Sequence, residues 1–473
     1  MLAESSDKKL IPWRETVVCL LLGLLLSGCG SMATRKGFYD PITAELQQGE
    51  YTQAAVGLET AKTEGKFEQK DRVVYYLDAG LAYHYADMYD TSNVRLSEAE
   101  SAAEDLFTKS ISRAAISLLL NDNVLEYAGE DHEVLYGNLI SALNYIALND
   151  VEDAFVEIRR ANLKLTELDR KYADAADVLN RGQEEDTSGV RMDYEPEHVR
   201  FYNSAFARYL SMHMYAADGK FDDARIDYEF IQHAFEEQPY IYSFPMPDVR
   251  YTSDNGSVLS VVALAGLAPV KEAYNLRIRT DKDLDLVQVL YTDSDNSEET
   301  EYAHFPVKIG EDFYFKFAIP HFTDRVSVID HVNVYASGQF LGRLQILEDV
   351  GLVARETYKA KESLILIRSV ARAIAKGLAA HRAKKGADTG GLAGWLKKAA
   401  IDVVSDLSEN ADLRCSRLLP GRVLVGDFVL EPGTYDLSVE FVDGAGGIVG
   451  TQSYGQYEVL ERGLNLVEAV SLK

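Results

Sequence analysis

Apolar residues recur at helical spacing from about residue 36 to residue 240, and prolines are nearly absent there. After Pro245 and Pro247 the pattern changes to short runs of β-branched and aromatic residues separated by turn-forming segments. Such runs predict strands, and a second set of them follows residue 420. The pattern therefore predicts an α+β protein, and a length of 473 residues is enough for more than one domain.

Three segments of the helical region share one spacing. Each begins with a small or polar turn residue, continues with an aromatic or aliphatic residue two positions later, and has apolar residues at +5 and +9. The turn residues are Gly49, Asn149 and Gly219, and a degraded fourth copy lies at Gly80, Tyr83 and Tyr89. This pattern resembles the tetratricopeptide repeat (TPR). A plain helical bundle that matches the spacing by chance is the alternative.

A small residue at +5 lets two helices approach closely, and the +5 and +9 positions share one helical face. Stacks of such repeats form concave surfaces that hold peptides or proteins. Tyr145 and Tyr215 precede two of the turns, so we predict that they line a partner-binding groove. Within this region, 93–120 is expected to form two helices and 183–189 a loop.

The expected domain order follows from these patterns. A signal peptide (1–28) precedes a TPR-like helical domain (29–240) and a β-rich domain (241–350). A basic helical segment (351–410) and a C-terminal β segment (411–473) follow. The strands are short and regularly spaced, which is typical of a β-sandwich. The last segment could complete the sandwich of the first β domain.

The basic segment contains a predicted long helix, about Val353 to Lys385, and a shorter one, Trp395 to Leu407. Apolar residues repeat along the long helix at alternating intervals of three and four, and Arg368, Arg372 and Lys376 form a row beside this seam. Residues 351–400 hold eleven Lys/Arg and three Asp/Glu, a net charge of +8. One interpretation is that this row binds an anionic polymer or an acidic partner. The alternative is that the helix packs on the protein through its apolar seam, with the basic row facing the protein's own acidic surface.

The whole chain, in contrast, carries a net charge of -27. Such a surface repels nucleic acid, so nucleic-acid binding is not expected. The charge also favours solubility, but it does not indicate a fold.

The amino terminus has the pattern of a bacterial lipoprotein leader. Basic residues precede an apolar run of about ten residues, Val17–Leu26, which is too short to span a membrane. The run ends in Leu26-Ser27-Gly28-Cys29, the pattern that a lipoprotein signal peptidase recognises. We predict cleavage before Cys29 and lipid attachment at its thiol. In Gram-negative bacteria an Asp directly after the lipidated cysteine commonly retains a lipoprotein in the inner membrane. Gly30 follows Cys29 here, which favours the outer membrane.

No catalytic constellation stands out. The chain lacks a zincin HExxH motif, a P-loop and the G-x-S-x-G turn of an α/β-hydrolase. The acidic runs 281–285 and 293–299 lack the EF-hand spacing for calcium. Cys19 lies in the leader, so Cys415 would be the one free thiol of the mature chain, and we expect it to be a buried apolar residue. We predict a protein without enzymatic activity, metal or cofactor.

Several segments together resemble a family of TPR-containing lipoproteins of Gram-negative bacteria whose function is uncharacterised. The resemblance covers most of the mature chain. Its segments include 133–136, 142–145, 157–162, 207–211, 266–271, 368–373, 412–414, 418–420 and 432–436. Family members are often encoded beside lipoproteins that look like activators of penicillin-binding proteins. The resemblance therefore implies a role in cell-envelope assembly.

These patterns predict a scaffold or adaptor that is lipid-anchored at the periplasmic face of the outer membrane and holds envelope proteins in its helical repeats. One alternative is a module that binds peptidoglycan or another anionic envelope polymer through the basic helix. A second alternative is an envelope glycan hydrolase. It would require a pocket with two carboxyl groups about 5–10 Å apart, one of them with a raised pKa.

Overall fold

The structure is a computed structural model that describes residues 36–116, 125–185, 197–253, 256–292, 299–306, 312, 314–386 and 411–473. The predicted signal peptide, Cys29 and the predicted helix at 395–407 lie outside these residues. The described part is a mixed α and β protein, with helices in the amino-terminal half and mainly antiparallel sheets in the carboxyl-terminal half.

Eight α-helices precede the strands in the part of the chain that the structure describes. Consecutive helices pair as four hairpins, α1–α2, α3–α4, α5–α6 and α7–α8. Their bounds are Lys36–Gln48 (α1), Tyr51–Thr63 (α2), Arg72–Tyr85 (α3), Tyr89–Ile116 (α4), Asp131–Ala147 (α5), Val151–Glu185 (α6), Ala205–Ala217 (α7) and Phe221–Glu237 (α8).

The same turn closes all four hairpins. In each turn one residue has a positive φ, and its N–H donates to the carbonyl three residues back. The next N–H donates to the carbonyl five residues back, so the last carbonyls of the first helix are satisfied. Gly, Asn and Asp adopt this backbone conformation at the lowest cost. The four turn residues are Gly49 (φ +83°), Asp87 (φ +58°), Asn149 (φ +59°) and Gly219 (φ +74°).

The second helix of each hairpin buries the same positions relative to its turn. At +5 the buried residue is small in every hairpin: Ala54, Ser92, Ala154 and Ala224. At +9, Leu58, Leu96 and Ile158 are buried and Tyr228 is half-buried. At +12 the buried residues are Ala61, Ala99, Ala161 and Ile231. The predicted helical face is therefore the face that packs in the core.

Two predicted helix boundaries are wrong. Residues 93–120 were expected to form two helices, but α4 continues without a break to Ile116. This stretch contains neither Gly nor Pro, so nothing local ends the helix. The predicted loop at 183–189 begins too early, because α6 extends to Glu185. Gln and Glu are good helix formers, and a polar composition alone does not end a helix.

Twelve strands and one long helix make up the rest of the described chain. The strands are Ser257–Leu267 (β1), Val270–Asp281 (β2), Leu286–Thr292 (β3), Glu299–Pro306 (β4), Tyr314–Thr323 (β5), Ile329–Ala336 (β6), Gln339–Arg343 (β7), Gln345–Asp349 (β8), Pro420–Leu430 (β9), Gly433–Asp443 (β10), Ile448–Val459 (β11) and Leu466–Ser471 (β12). The long helix α9, Val350–Gly386, lies between β8 and β9.

The strands form three four-stranded sheets. The central sheet has the order β12-β1-β9-β8, the outer sheet β11-β10-β6-β7 and the third sheet β4-β3-β2-β5. Strands β1 and β12 are parallel, and the other pairs are antiparallel. The central and outer sheets therefore each combine strands from before and after α9.

Successive side chains of a strand point to opposite faces of its sheet, so β1 contributes to two different hydrophobic cores. Val262 and Leu264 of β1 belong to the core that the helices form, whereas Leu259, Val261 and Ala263 belong to a core shared with the outer sheet. A third core lies between α9 and the third sheet. It contains the predicted apolar seam of α9 at Ile367, Ala371 and Ile374.

Candidate functional site

A polar cleft of about 280 Å³ lies between α4, α5 and α6. Helix α4 contributes Glu100, and α6 contributes Asp153, Glu157 and Arg160. Helix α5 contributes residues spaced by three and four positions, which places them on one helical face. They are Asn138, Ser141 and Tyr145. The cleft is thus lined by two helices of one hairpin and by the neighbouring α4.

The positions of α5 and α6 are determined at both ends of α5. A capping box begins α5, in which the side chains of Glu130 and Glu133 each accept a hydrogen bond from the backbone N–H of the other residue. The Asn149 turn ends α5 and reverses the chain into α6. The N–H of Asp150 donates to the carbonyl of Tyr145 at 2.8 Å, so the turn is bonded to the residue that lines the cleft.

Asn138 bridges the two glutamates of the cleft. Its Nδ2 donates to Oε1 of Glu100 at 3.0 Å and to Oε2 of Glu157 at 2.8 Å. Both amide hydrogens are therefore used, and the orientation of the amide follows from these bonds. Its Oδ1 is buried and has no hydrogen-bond partner among the described residues, although Asn138 is only 3% exposed.

Two basic residues bind the same glutamates. Nη1 of Arg160 donates to Oε1 of Glu157 at 2.7 Å and to Oε2 of Glu100 at 3.4 Å. The Lys164 ammonium donates to Oε1 of Glu100. Every carboxylate oxygen of the pair therefore accepts at least one hydrogen bond.

The two glutamates differ in pKa. Burial raises the pKa of Glu157, and the nearby Glu100 charge raises it further, so that Asn138 and Arg160 do not fully compensate. Burial also acts to raise the pKa of Glu100, but the bond and charge of Lys164, with Asn138 and Arg160, outweigh it and lower that pKa. Burial raises the pKa of Tyr145, and the charges of Asp153 and Glu157 raise it further.

The structure separates the two predicted groove tyrosines. Tyr145 lines the cleft. Tyr215 does not; its ring packs on that of Phe155, with ring centroids 4.6 Å apart. Tyr215 therefore fills the contact between α6 and α7. Their shared position before a turn reflects the geometry of the hairpin rather than a common ligand.

The predicted basic row is not an exposed face where it is described. Arg368 is 7% exposed and Arg372 is 2% exposed, and Nη2 of Arg372 donates to Oγ of Ser369 at 3.1 Å. Lys376 lies in α9, but its side chain is outside the described part, as is Cys29. Helical periodicity places charges beside a seam, but it does not reveal what covers them.

A serine, a histidine and an aspartate also meet in the interior. Oγ of Ser260 lies 3.0 Å from Nδ1 and 3.2 Å from Nε2 of His213, and the latter is 3.2 Å from Oδ1 of Asp427. An oxygen nearly equidistant from both ring nitrogens lies away from the lone-pair direction of each. Ser260 is only 1% exposed. This group therefore acts as a polar contact between α7, β1 and β9 and lacks the alignment of a nucleophile and its base.

A larger cleft of about 450 Å³ lies between the helices and strands β11 and β12. Several of its polar side chains bind one another or the backbone. His84 contacts Glu468, Tyr89 donates to Asp87, and Lys473 donates to the carbonyl of Val449. The smaller cleft is the stronger candidate site, because Asn138, which lines it, has a buried acceptor without a partner among the described residues.

No cluster of three or more His, Cys, Asp or Glu side chains in the described ranges could hold a metal ion. Oδ1 of Asp281 accepts hydrogen bonds from the N–H groups of Asp283 and Leu284, as in an ordinary loop. The acidic residues 293–298 lie outside the described part. Among the described helices, none has the length and apolarity to cross a bilayer.

Sequence reasoning did not find Glu100 or Asn138. The one available signal was a polar amide within the apolar run Leu135–Ala142, where a buried asparagine needs partners.

No family model, curated protein or solved structure matches this chain.

Proposed function

We propose that this chain is a lipoprotein, anchored through Cys29 at the periplasmic face of the outer membrane, that acts as a non-enzymatic adaptor in cell-envelope assembly. Its helical hairpins hold an envelope protein, and the cleft beside Tyr145 is the contact site. The observation that carries this proposal is the buried Asn138 Oδ1, which lacks a partner in the described chain. A buried acceptor without a donor costs about 1–3 kcal/mol, so such a site is better satisfied in a complex.

We further infer that the hairpins form a TPR-like array. Four hairpins with the same turn and the same buried +5 position support this inference. A shared core between the central and outer sheets likewise supports a β-sandwich. The family resemblance through segments such as 157–162 is consistent with both inferences.

In-cell photocrosslinking tests the adaptor function. A photoreactive residue replaces Ser97, which is exposed and lines the cleft, and a matched control replaces Val56, which is exposed on α2 outside it. We expect one or two envelope proteins to crosslink from position 97 but not from 56, and Tyr145→Ala to abolish this product. Retention on isolated sacculi that high salt removes, without any crosslinked protein, would overturn the proposal in favour of polymer binding.

Metabolic labelling tests the anchor separately. We expect labelled palmitate on the wild-type protein and on a Cys415→Ser control, and none on a Cys29→Ser variant. The wild-type protein should sediment with outer membranes. Equal label on wild-type protein and Cys29→Ser would contradict lipid attachment at this cysteine.

Glycan hydrolysis is a second candidate, because Glu100 and Glu157 meet at one amide and have pKa values shifted in opposite directions. Their bridged oxygens can be no farther apart than the two hydrogen bonds laid end to end, a limit that allows the separation of about 5–5.5 Å found in retaining glycosidases. However, Asn138 and Arg160 donate to the two oxygens of Glu157 and stabilise its charged form, which opposes the protonated state that a general acid requires. Release of soluble fragments from sacculi, lost in Glu157→Gln, would favour the hydrolase over the adaptor.

A further inference from the structure

We propose that the cleft between α4, α5 and α6 binds a primary ammonium group, carried by a lysine side chain of the partner, through Oδ1 of Asn138 and the carboxylates around it. This inference rests on the proposed adaptor function and specifies the chemistry of its contact site.

The free acceptor defines the first requirement on a ligand. The two hydrogens of Asn138 Nδ2 are directed to Glu100 and Glu157, so the atom left without a partner in the described chain is the carbonyl oxygen. A carbonyl oxygen can only accept a hydrogen bond. The ligand must therefore bring an N–H or O–H donor.

Charge defines the second requirement. Among the residues that line the cleft, Glu100, Asp153 and Glu157 are acidic and Arg160 is basic. Lys164 also contacts Glu100, but it does not line the cleft. An excess of carboxylates attracts a cation and repels an anion, and it favours a charged donor over a neutral hydroxyl or amide.

Geometry then distinguishes ammonium from guanidinium. A guanidinium binds best when both oxygens of one carboxylate face its planar fork. Here the oxygens of Glu157 are engaged by Arg160 and Asn138, and those of Glu100 by Asn138, Lys164 and Arg160. Oε1 of Glu100 already accepts two bonds, whereas its Oε2 and both oxygens of Glu157 accept one each and retain room for a single additional bond. Such separate single acceptors suit a compact ammonium with three separate donors. A volume of about 280 Å³ also accommodates an alkyl chain with its terminal amine.

Calorimetric titration of the purified full chain in detergent tests the proposal. The probe is the peptide acetyl-Gly-Lys-Gly-amide, and the matched control peptide has norleucine in place of lysine, which removes only the ammonium. We expect the lysine peptide to bind and the norleucine peptide to bind at least about tenfold more weakly, since one charge-assisted bond contributes about 1.5–3 kcal/mol. Equal binding of the two peptides would overturn the proposal.

Variants identify the site. Asn138→Leu should weaken lysine-peptide binding by about tenfold, whereas Asn162→Leu, on α6 outside the cleft, should leave it unchanged. Thermal melts check that each variant folds. If Asn138→Leu does not fold, Glu157→Gln keeps the side-chain shape and should weaken binding severalfold while reducing its salt dependence. Unchanged affinity in a folded Asn138→Leu or in Glu157→Gln would place the ammonium elsewhere and refute this site.

The two proposals fail separately. If the lysine peptide does not bind while Tyr145-dependent crosslinking from position 97 persists, the ammonium inference is wrong and the adaptor function stands. If the lysine peptide binds and no protein crosslinks, the cleft is an ammonium site and the adaptor function is wrong.

Discussion

His84 and Glu468 join the first half of the chain to its last strand across 384 residues of sequence. Nε2 of His84 lies 2.9 Å from Oε1 of Glu468, and Nδ1 lies 2.7 Å from Oδ1 of Asn144. Nδ2 of Asn144 donates to Ser92 and Asn93, so its oxygen faces the ring. Both ring nitrogens therefore face acceptors, which favours the doubly protonated imidazolium.

This pair makes stability depend on pH. Burial alone lowers the pKa of His84, but the charge and hydrogen bond of Glu468, with smaller contributions from Asn144 and Asp87, raise it overall. A raised histidine pKa adds stability that is fully present below the unfolded value of about 6.5 and disappears as the pH rises through the folded value. We expect the free energy of unfolding to fall with rising pH in this window.

Urea denaturation at several pH values measures this effect. His84→Gln should flatten the pH dependence in that window, and Glu468→Gln should do the same because it removes the charge that raises the pKa. His233→Gln is the matched control, since His233 is exposed on α8. If the free energy of unfolding depends on pH above 6.5 in the same way in wild type and His84→Gln, the result would contradict the ion pair.

Two buried helical glycines should respond oppositely to alanine. A Cβ at Gly80 would lie 2.6 Å from Cγ and Cδ2 of Leu96, whereas one at Gly137 would meet Cδ2 of Leu77 at an ordinary 3.5 Å. Gly80→Ala should therefore cost about 1–3 kcal/mol by forcing α3 and α4 apart. Gly137→Ala should stabilise by up to about 1 kcal/mol through helix propensity. Equal midpoints in chemical denaturation would show that the helices do not approach as described.

Substitution of Glu348 should lower the free energy of unfolding more than most single substitutions do. This buried carboxylate on β8 accepts bonds from the hydroxyls of Tyr136, Tyr242 and Ser204 and from the N–H of Phe206. Glu348→Leu should destabilise by at least about 3 kcal/mol, because each buried donor left without an acceptor costs about 1–3 kcal/mol. Glu431→Leu, at an exposed turn, should change the unfolding free energy by less than about 0.5 kcal/mol. Similar losses in both variants would refute the role assigned to Glu348.

Cys415 should be unreactive in the folded protein. Its side chain is buried, and burial raises the pKa of the thiol, so little reactive thiolate forms at neutral pH. We expect a thiol-specific disulfide reagent to modify Cys415 slowly in buffer and rapidly in denaturant, as read by peptide mass spectrometry. Rapid native modification, at the rate of a small-molecule thiol, would show that segment 411–419 opens readily.

Local patterns predicted much of the helical half. The turn at Asn149 and the small residue Ala154 could be recognised because backbone conformation and close helix contact act within a few residues. The seam of α9 was predicted for the same reason, since its period follows from helix geometry. Helix ends were less predictable, as α6 shows, because a polar composition does not by itself end a helix.

The sequence by itself therefore determined most of the helices, three of the four hairpin turns, most strands and the candidate lipidation signal at Cys29, because these depend on neighbouring residues. Only the tertiary structure decided the partners of each element. It paired β12 with β1, buried Arg368 and Arg372, and brought Glu100 to Asn138 and Glu157. Such contacts join residues far apart in the chain, and their energy depends on desolvation and geometry that no local pattern encodes.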